Sequence, residues 1–125
     1  MKRIVCVILF VFMVAGCSAK ETIGSYRQIS QEEAKKMMAE QDVVILDVRE
    51  QHEYEEGHIP GAVLLPVGSI TEETAKTIIP EKDTVTLVYC RSGNRSKTAS
   101  QSLANLGYTA IYEFGGIQSW PYEVE

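Results

Sequence analysis

The sequence predicts a parallel α/β domain, and three observations carry that prediction. Val43-Val44-Ile45-Leu46 and Thr84 to Tyr89 are near-continuous β-branched and aliphatic runs, the composition of strands covered on both faces. Segments with helical spacing of apolar residues fall between such runs, and turn residues mark the junctions. Strands that alternate with helices imply a parallel sheet with helices on both sides.

The elements follow in chain order. Ser30-Gln31-Glu32-Glu33 fits a capping box, with Ser30 as N-cap, ahead of Ala34, Met37 and Met38 at helical spacing; a helix is expected from about Gln31 to Glu40, its Met pair filling core. The first strong strand follows, and Asp47-Val48-Arg49 leaves its C-terminal end. Glu50 to Glu56 is charged and bounded by Gly57, which predicts a short exposed helix. Ile59-Pro60-Gly61 has turn chemistry, and Ala62 to Leu65 makes a short strand before Pro66. Thr71 caps a helix that carries Ala75, Ile78 and Ile79 and stops at Pro80. After the second strong strand, Ala99, Leu103 and Leu106 share one helix face and Gly107 ends it. Ala110 to Phe114 is the last strand, and Gly115-Gly116 precede a final turn with Trp120. The chain has no internal repeat and no low-complexity segment.

The first residues belong to a different kind of segment. Lys2 and Arg3 precede an unbroken run of 11 apolar residues from Ile4 to Val14, and small residues follow, which is the build of a secretory signal. A membrane-spanning helix needs roughly 20 apolar residues, so the run is too short for one. Val14-Ala15-Gly16-Cys17 resembles the lipobox of bacterial lipoproteins, in which the cysteine becomes the lipid-bearing first residue of the mature chain. The expected organisation is a signal at 1–16, a lipid-anchored tether at 17–25 and a folded domain at 26–125. The expected location is the outer face of the cell membrane or the periplasm, with attachment by lipid on Cys17 alone. Cleavage after Ala19 to give a secreted soluble protein is the alternative.

Loss of residues 1–16 changes the charge. The 125-residue chain has twelve basic and seventeen acidic side chains and a formal charge of −5; without Lys2 and Arg3, 109 residues remain with ten basic side chains and −7. That balance argues against a nucleic-acid partner. A chain of this size buries one core, with no room for a second domain. Of the three cysteines, Cys6 leaves with the signal and Cys17 would carry lipid, so Cys90 is the one free thiol of the mature chain. Exported domains normally pair their cysteines, and an odd one is either a buried small hydrophobe or a reactive thiol.

Cys90 stands at the end of a buried strand, where ligands sit in open parallel sheets, and Cys90-Arg91-Ser92-Gly93-Asn94-Arg95-Ser96 feeds straight into a helix. Gly93 and Asn94 tolerate left-handed backbone angles, so successive N–H groups can turn inward around an anion. A thiolate held at a helix N-terminus near Arg has its pKa lowered from about 8.5 into roughly the 3.5–7.5 range. Arg91 and Arg95 add fixed positive charge able to fork onto an oxyanion. The plain alternative is a strand-to-helix turn with Ser96 or Asn94 as N-cap, but such a turn requires neither Cys at the strand end nor two Arg in one ring.

Cys90 to Ser96, Asp47-Val48-Arg49-Glu50, the stretch from His52 to Ala62, and Gly115-Gly116 followed by Trp120 together resemble a single-domain rhodanese, a sulfurtransferase; the resemblance spans Tyr26 to Trp120. It implies a three-layer α/β/α fold with a five-stranded parallel sheet and a two-step exchange. Cys90 would take the outer sulfur of a donor such as thiosulfate and pass it from a persulfide to a thiol or cyanide acceptor. The resemblance makes Cys90 the catalytic residue, with Arg91, Ser92, Gly93, Asn94, Arg95 and Ser96 binding substrate. Arg91 and Arg95 would orient the donor's sulfonate oxygens, although Arg91 reads equally well as a solvent-facing charge. No cofactor and no metal are expected; the partners are a small sulfur-containing anion, a small or protein acceptor, and the membrane through lipid only.

Related cysteine phosphatases resemble the loop but place five residues between Cys and Arg. Here there are four, a ring with less room for a tetrahedral phosphoryl group, and no general-acid Asp is identifiable. Asp47 and Arg49, beside the loop in the family, are expected to support it rather than to contact the donor. His58 is expected to be structural, because an ionised Cys90 needs no base. His52 and the acids around it read as a solvated helix face, and Trp120 as a core plug. Two alternatives to catalysis stand: a binding module that uses the fold alone, and a persulfide carrier for an exported partner.

Overall fold

The computed structural model describes residues 24–125. The expected signal at 1–16, Cys17 and the tether up to residue 23 lie outside the described residues. Ordered packing begins before Tyr26: the Gly24 carbonyl accepts from Gln101 Nε2 at 2.8 Å.

The described chain runs β1 (Arg27–Gln28), α1 (Gln31–Glu40), β2 (Val44–Asp47), α2 (Gln51–Glu56), β3 (Val63–Leu64), α3 (Glu72–Ile78), β4 (Thr86–Cys90), α4 (Asn94–Asn105) and β5 (Ile111–Gly116), with 3₁₀ turns at Val67–Ser69 and Ile117–Ser119. The five strands form one sheet in the order β1-β5-β4-β2-β3, and every pairing is parallel. The residue pattern marked out four of these strands. It was silent on β1, a two-residue edge strand whose Arg27 and Gln28 are both exposed, because two polar residues carry no periodicity.

Alternation along the strands divides the core in two. Leu46, Val48, Val88, Cys90 and Ile111 face one side, with Ala75 and Ile79 of the α3 segment and Ala99 and Leu103 of α4. Ile45, Leu87, Tyr89 and Phe114 face the other, with Ala34 of α1, Ile59 and Trp120. The sheet is thus covered on both faces, and fully buried Leu46, Leu87 and Leu103 each contribute about 1.5–3 kcal/mol by leaving water. Trp120 is the expected core plug, and the Met37–Met38 pair packs against the same cluster.

The helix caps follow the sequence with one difference. Ser30 Oγ accepts from the Glu33 N–H at 3.0 Å, but the reciprocal bond from the Ser30 N–H to the Glu33 side chain is not formed, so α1 has half of a capping box. A complete box occurs at α3, through Thr71 and Thr74. At α2 the Glu53 side chain accepts from the Glu50 N–H at 2.9 Å, which starts the helix beside the C-terminal end of β2 and carries Glu53 toward the Cys90 loop.

Candidate active site

Cys90 is the last residue of β4, and α4 begins four residues later at Asn94. A register shift between Val88 and Cys90 sets Cys90 beside Gly116 instead of continuing the regular ladder with β5. Gly116 lets the two strand ends approach: a Cβ there would lie 2.0 Å from the Arg91 carbonyl oxygen, and both are backbone positions with no flexible side chain to move aside. The loop also hangs on the 3₁₀ turn that follows β5, through the Gln118 N–H, which donates to that carbonyl at 3.1 Å.

The loop turns at Gly93, whose φ of +107° lies in the left-handed region. Gly93 is the N-cap of α4 and offers no side chain, so neither Asn94 nor Ser96 caps the helix. The turn points the Gly93 N–H at Cys90 Sγ, 3.1 Å away. The Cys90 thiol donates to Ser96 Oγ at 3.4 Å. Burial, the largest single influence, pushes the Cys90 thiol up; hydrogen bonding with the Ser96 side chain and with the amides of Ser96, Gly93 and Ser92 together outweighs it. The thiol therefore lies below its ordinary value, with the helix N-terminus supplying the donors.

The two loop arginines do different things. Arg91 is exposed and borders a cavity of about 520 Å³ shared with Arg49, Glu53, Ile117, Gln118 and Trp120. Arg95 has a partner within the fold: its Nη1 and Nη2 donate to Glu53 at 2.7 and 3.0 Å. The guanidinium bonds hold the Glu53 carboxyl down to about 2. Arg95 still faces the Cys90 sulfur electrostatically, so its charge acts on the thiolate from a fixed place. Ser92 and Asn94 are exposed at the mouth of the loop, whereas Gly93 and Ser96 are buried in it.

Asp47 and Arg49 are buried one residue pair away from the loop. Arg49 donates to Asp47 through Nε at 2.9 and 3.1 Å and through Nη2 at 2.6 Å, and Nη2 also donates to the Gly57 carbonyl at 2.7 Å. The Tyr89 hydroxyl donates to Asp47 Oδ2 at 2.7 Å and accepts from the Ile59 N–H at 3.1 Å. Burial alone would lower the Arg49 pKa, but Asp47 more than compensates. This network ties β2, β4 and the His58–Ala62 segment together under the loop. His58 stacks on Tyr54 with ring centroids 3.8 Å apart, and Nδ1 lies 2.9 Å from the Tyr54 carbonyl, a packing position away from the sulfur's own bonds. His52 is exposed, as its surroundings predicted.

Two residues of the site were missed in the sequence. Glu53 sits in a helix read as fully solvated, and nothing local marks it as the partner of a residue 42 positions away. Glu113 is 2 % exposed, and its Oε2 accepts from Ser96 Oγ at 2.5 Å and from the Gly115 N–H at 2.9 Å. Its signal was available: an acid in phase with Ile111, on a strand face where a half-buried pattern calls for an apolar residue.

The comparisons agree with this architecture. A profile of the rhodanese-like domain matches residues 30–122. Thiosulfate sulfurtransferase GlpE of Coxiella burnetii is 38 % identical over 96 residues, which cover 76 % of this chain and 87 % of that protein. The putative sulfur carrier protein YrkF of Bacillus subtilis is 32 % identical over 112 residues, 88 % of this chain and 59 % of the relative. Among solved structures, a rhodanese with anions from E. coli matches with a TM-score of 0.63 at 28 % identity, over 67 % of this chain and 98 % of that one. A rhodanese-related protein from Thermoplasma volcanium matches with a TM-score of 0.66 at 34 % identity, over 80 % and 98 % of the two chains.

Proposed function

The chain belongs to the rhodanese-like domain family, and from that premise we propose that it is a sulfurtransferase that carries sulfane sulfur on Cys90. The observation that carries the proposal is the sulfur's own environment: a thiol lowered by the Ser96 side chain and the loop amides, with the Gly93 N–H 3.1 Å from Sγ. A thiolate is the nucleophile, and amides that stabilise it also stabilise a persulfide anion in its place.

In the first step the Cys90 thiolate attacks the outer sulfur of thiosulfate. A Cys90 Sγ–S bond forms, the sulfur–sulfur bond of the donor breaks, and its electron pair leaves with sulfite. In the second step a thiolate or cyanide attacks the terminal sulfur, and the electron pair of the Sγ–S bond returns to Cys90. Neither step needs an outside oxidant or a general base once Cys90 is ionised. Arg91, exposed at the cavity rim, is the cation available to a donor's sulfonate; Arg95, committed to Glu53, acts by its fixed charge.

A carrier role is the second reading. It is favoured by the similarity to a protein named a putative sulfur carrier and by the pairing of Arg95 with Glu53, which offsets part of the positive charge a small dianion would meet. Mass spectrometry before and after thiosulfate, with thiocyanate measured after cyanide, separates the readings. Catalysis predicts one added sulfur on Cys90, thiocyanate over many turnovers, and neither in Cys90→Ser. Persulfide with barely any thiocyanate gives the carrier reading, and an unmodified Cys90 defeats both in favour of a binding module.

Export with lipid on Cys17 remains part of the proposal, supported by the basic start, the 11-residue apolar run and Val14-Ala15-Gly16-Cys17. Palmitate labelling that depends on Cys17 is the expected result. Unlabelled protein released to the medium would replace it with simple secretion.

A further inference from the structure

Ser96 is fully buried, and its hydroxyl has one proton between two neighbours that can each use it. Cys90 Sγ lies 3.4 Å on one side, and Glu113 Oε2 lies 2.5 Å on the other. A Gly115 carbonyl at 3.4 Å is a third, weaker acceptor. As the chain stands, the thiol donates to Ser96 and Ser96 donates to Glu113. A thiolate would need that same Ser96 proton, so ionising the sulfur and serving the carboxylate compete for one hydrogen.

Glu113 is otherwise hard to explain. It projects from β5 into the face that holds Ile111, Cys90 and Leu103, and no ion pair among the described residues includes it. Its partners are neutral: Ser96, the Gly115 N–H at 2.9 Å and Gln28 Nε2 at 3.2 Å. These hydrogen bonds, rather than an ion pair, hold it in place, and Ser96 links it directly to the sulfur. Glu113 also borders a cavity of about 400 Å³ with Gln28, Gln31, Ser92, Gly93 and Lys97, which gives the inner end of the chain a polar way out to solvent.

We propose that Ser96 and Glu113 form a proton relay that lets Cys90 hold negative charge without adding charge to the buried ring. The S–H bond of Cys90 breaks as the proton passes to Ser96 Oγ, and the former Ser96 proton passes to Glu113 Oε2. The products are a thiolate that accepts from Ser96 and a carboxylic acid that donates to Ser96; the total charge is unchanged. Glu113 acts through Ser96 and touches neither sulfur donor nor acceptor. That the charge so accommodated includes a persulfide rests on the sulfurtransferase reading, whereas the relay itself does not. The charged groups facing this chain are Arg95 of α4, paired with Glu53 of α2, and Lys97 of α4 at the cavity; β1 and α1 offer neutral Gln28 and Gln31, and β4 offers Val88 beside Glu113.

Two ionisable groups that share a proton titrate in two macroscopic steps. The test is the pH profile of iodoacetamide alkylation, read by mass at the Cys90 peptide of the full chain. Wild type should show two steps. Glu113→Gln should show one, about one pH unit below the upper wild-type step, a tenfold change in the thiolate ratio, because its amide donates to Ser96 and leaves the hydroxyl proton to sulfur. Ser96→Ala should also show one step, displaced upward. A merely structural Glu113 moves both variants the same way. A single step in the wild type overturns the relay, as do two steps retained in Glu113→Gln; the wild-type profile decides even if a variant does not fold. Alkylation uses no sulfur donor, so two steps in a chain that never accepts sulfur would keep the relay and sink the sulfurtransferase reading.

Discussion

Two forked arginine–carboxylate pairs flank the Cys90 loop, and the same chemistry does different work in them. Arg49 and Asp47 have side chains 6 % and 0 % exposed, and Tyr89, the Gly57 carbonyl and the Arg49 N–H add further bonds to the pair. Arg95 and Glu53 have side chains 33 % and 14 % exposed and join the start of α4 to α2 across the rim. Desolvation makes a buried charge dependent on its partner, whereas water can replace much of what a rim partner supplies. The inner pair therefore fixes the framework beneath the loop, and the outer pair trims where one turn of helix rests.

The largest effect expected is at the inner pair. Asp47→Asn keeps the shape but leaves the Arg49 charge uncompensated in a buried site, which should cost about 3–5 kcal/mol. Against a total stability of roughly 5–15 kcal/mol for a domain, that is a large share. Urea unfolding should show a lower midpoint at an unchanged slope. A loss below about 1 kcal/mol would mean that water reaches this pair as it reaches the other, and the contrast between them would vanish.

Next in size is a change that touches neither pair but loosens the loop both of them frame. Gly116→Ala forces a methyl group against the Arg91 carbonyl, where the Cβ position lies 2.0 Å from the oxygen. Overpacking of this kind costs about 1–3 kcal/mol. Because the strain falls on the loop itself, the Cys90 thiol should also lose alignment with the Gly93 N–H and move up, which alkylation against pH would report. Stability lost with an unchanged thiol would show that the loop geometry does not depend on β5.

The difference between the pairs also marks how much the sequence could say. The parallel sheet, four of its strands and all four helices were legible because burial writes itself as periodicity, and the Cys90 loop because its residue types are unusual together. Asp47 and Arg49 were legible as neighbours, two residues apart at a strand end. Arg95 and Glu53 were not: the pairing spans 42 residues, and Glu53 differs in no local way from Glu55 and Glu56 of the same helix. The expectation that both arginines serve the donor therefore took no account of the carboxylate that Arg95 meets in the fold. Glu113 did carry a local signal, an acid in phase with Ile111, but it reads as a surface position until α4 is seen to cover that face.

The smallest effect tests the outer pair directly. Glu53→Gln should cost about 1 kcal/mol near neutral pH, the top of the range for exposed pairs, given one-third exposure of Arg95 and screening by salt. Its pH dependence is diagnostic. Arg95 holds the folded-state Glu53 carboxyl down to about 2, below its ordinary value of 4.5, so the folded state binds this proton less readily than the unfolded one. The stabilisation is then complete above pH 4.5 and drains away as pH falls toward about 2. Unfolding free energies of wild type and Glu53→Gln, measured at several pH values, should converge over that window and stay parallel above it. A gap that persisted down to pH 2 would show that Glu53 contributes through its packing and capping of α2, where its Oε2 accepts from the Glu50 N–H at 2.9 Å, and not through its charge. In that case the loop would be held at the rim by shape, and the electrostatic contrast with the buried pair would apply to Asp47 and Arg49 alone.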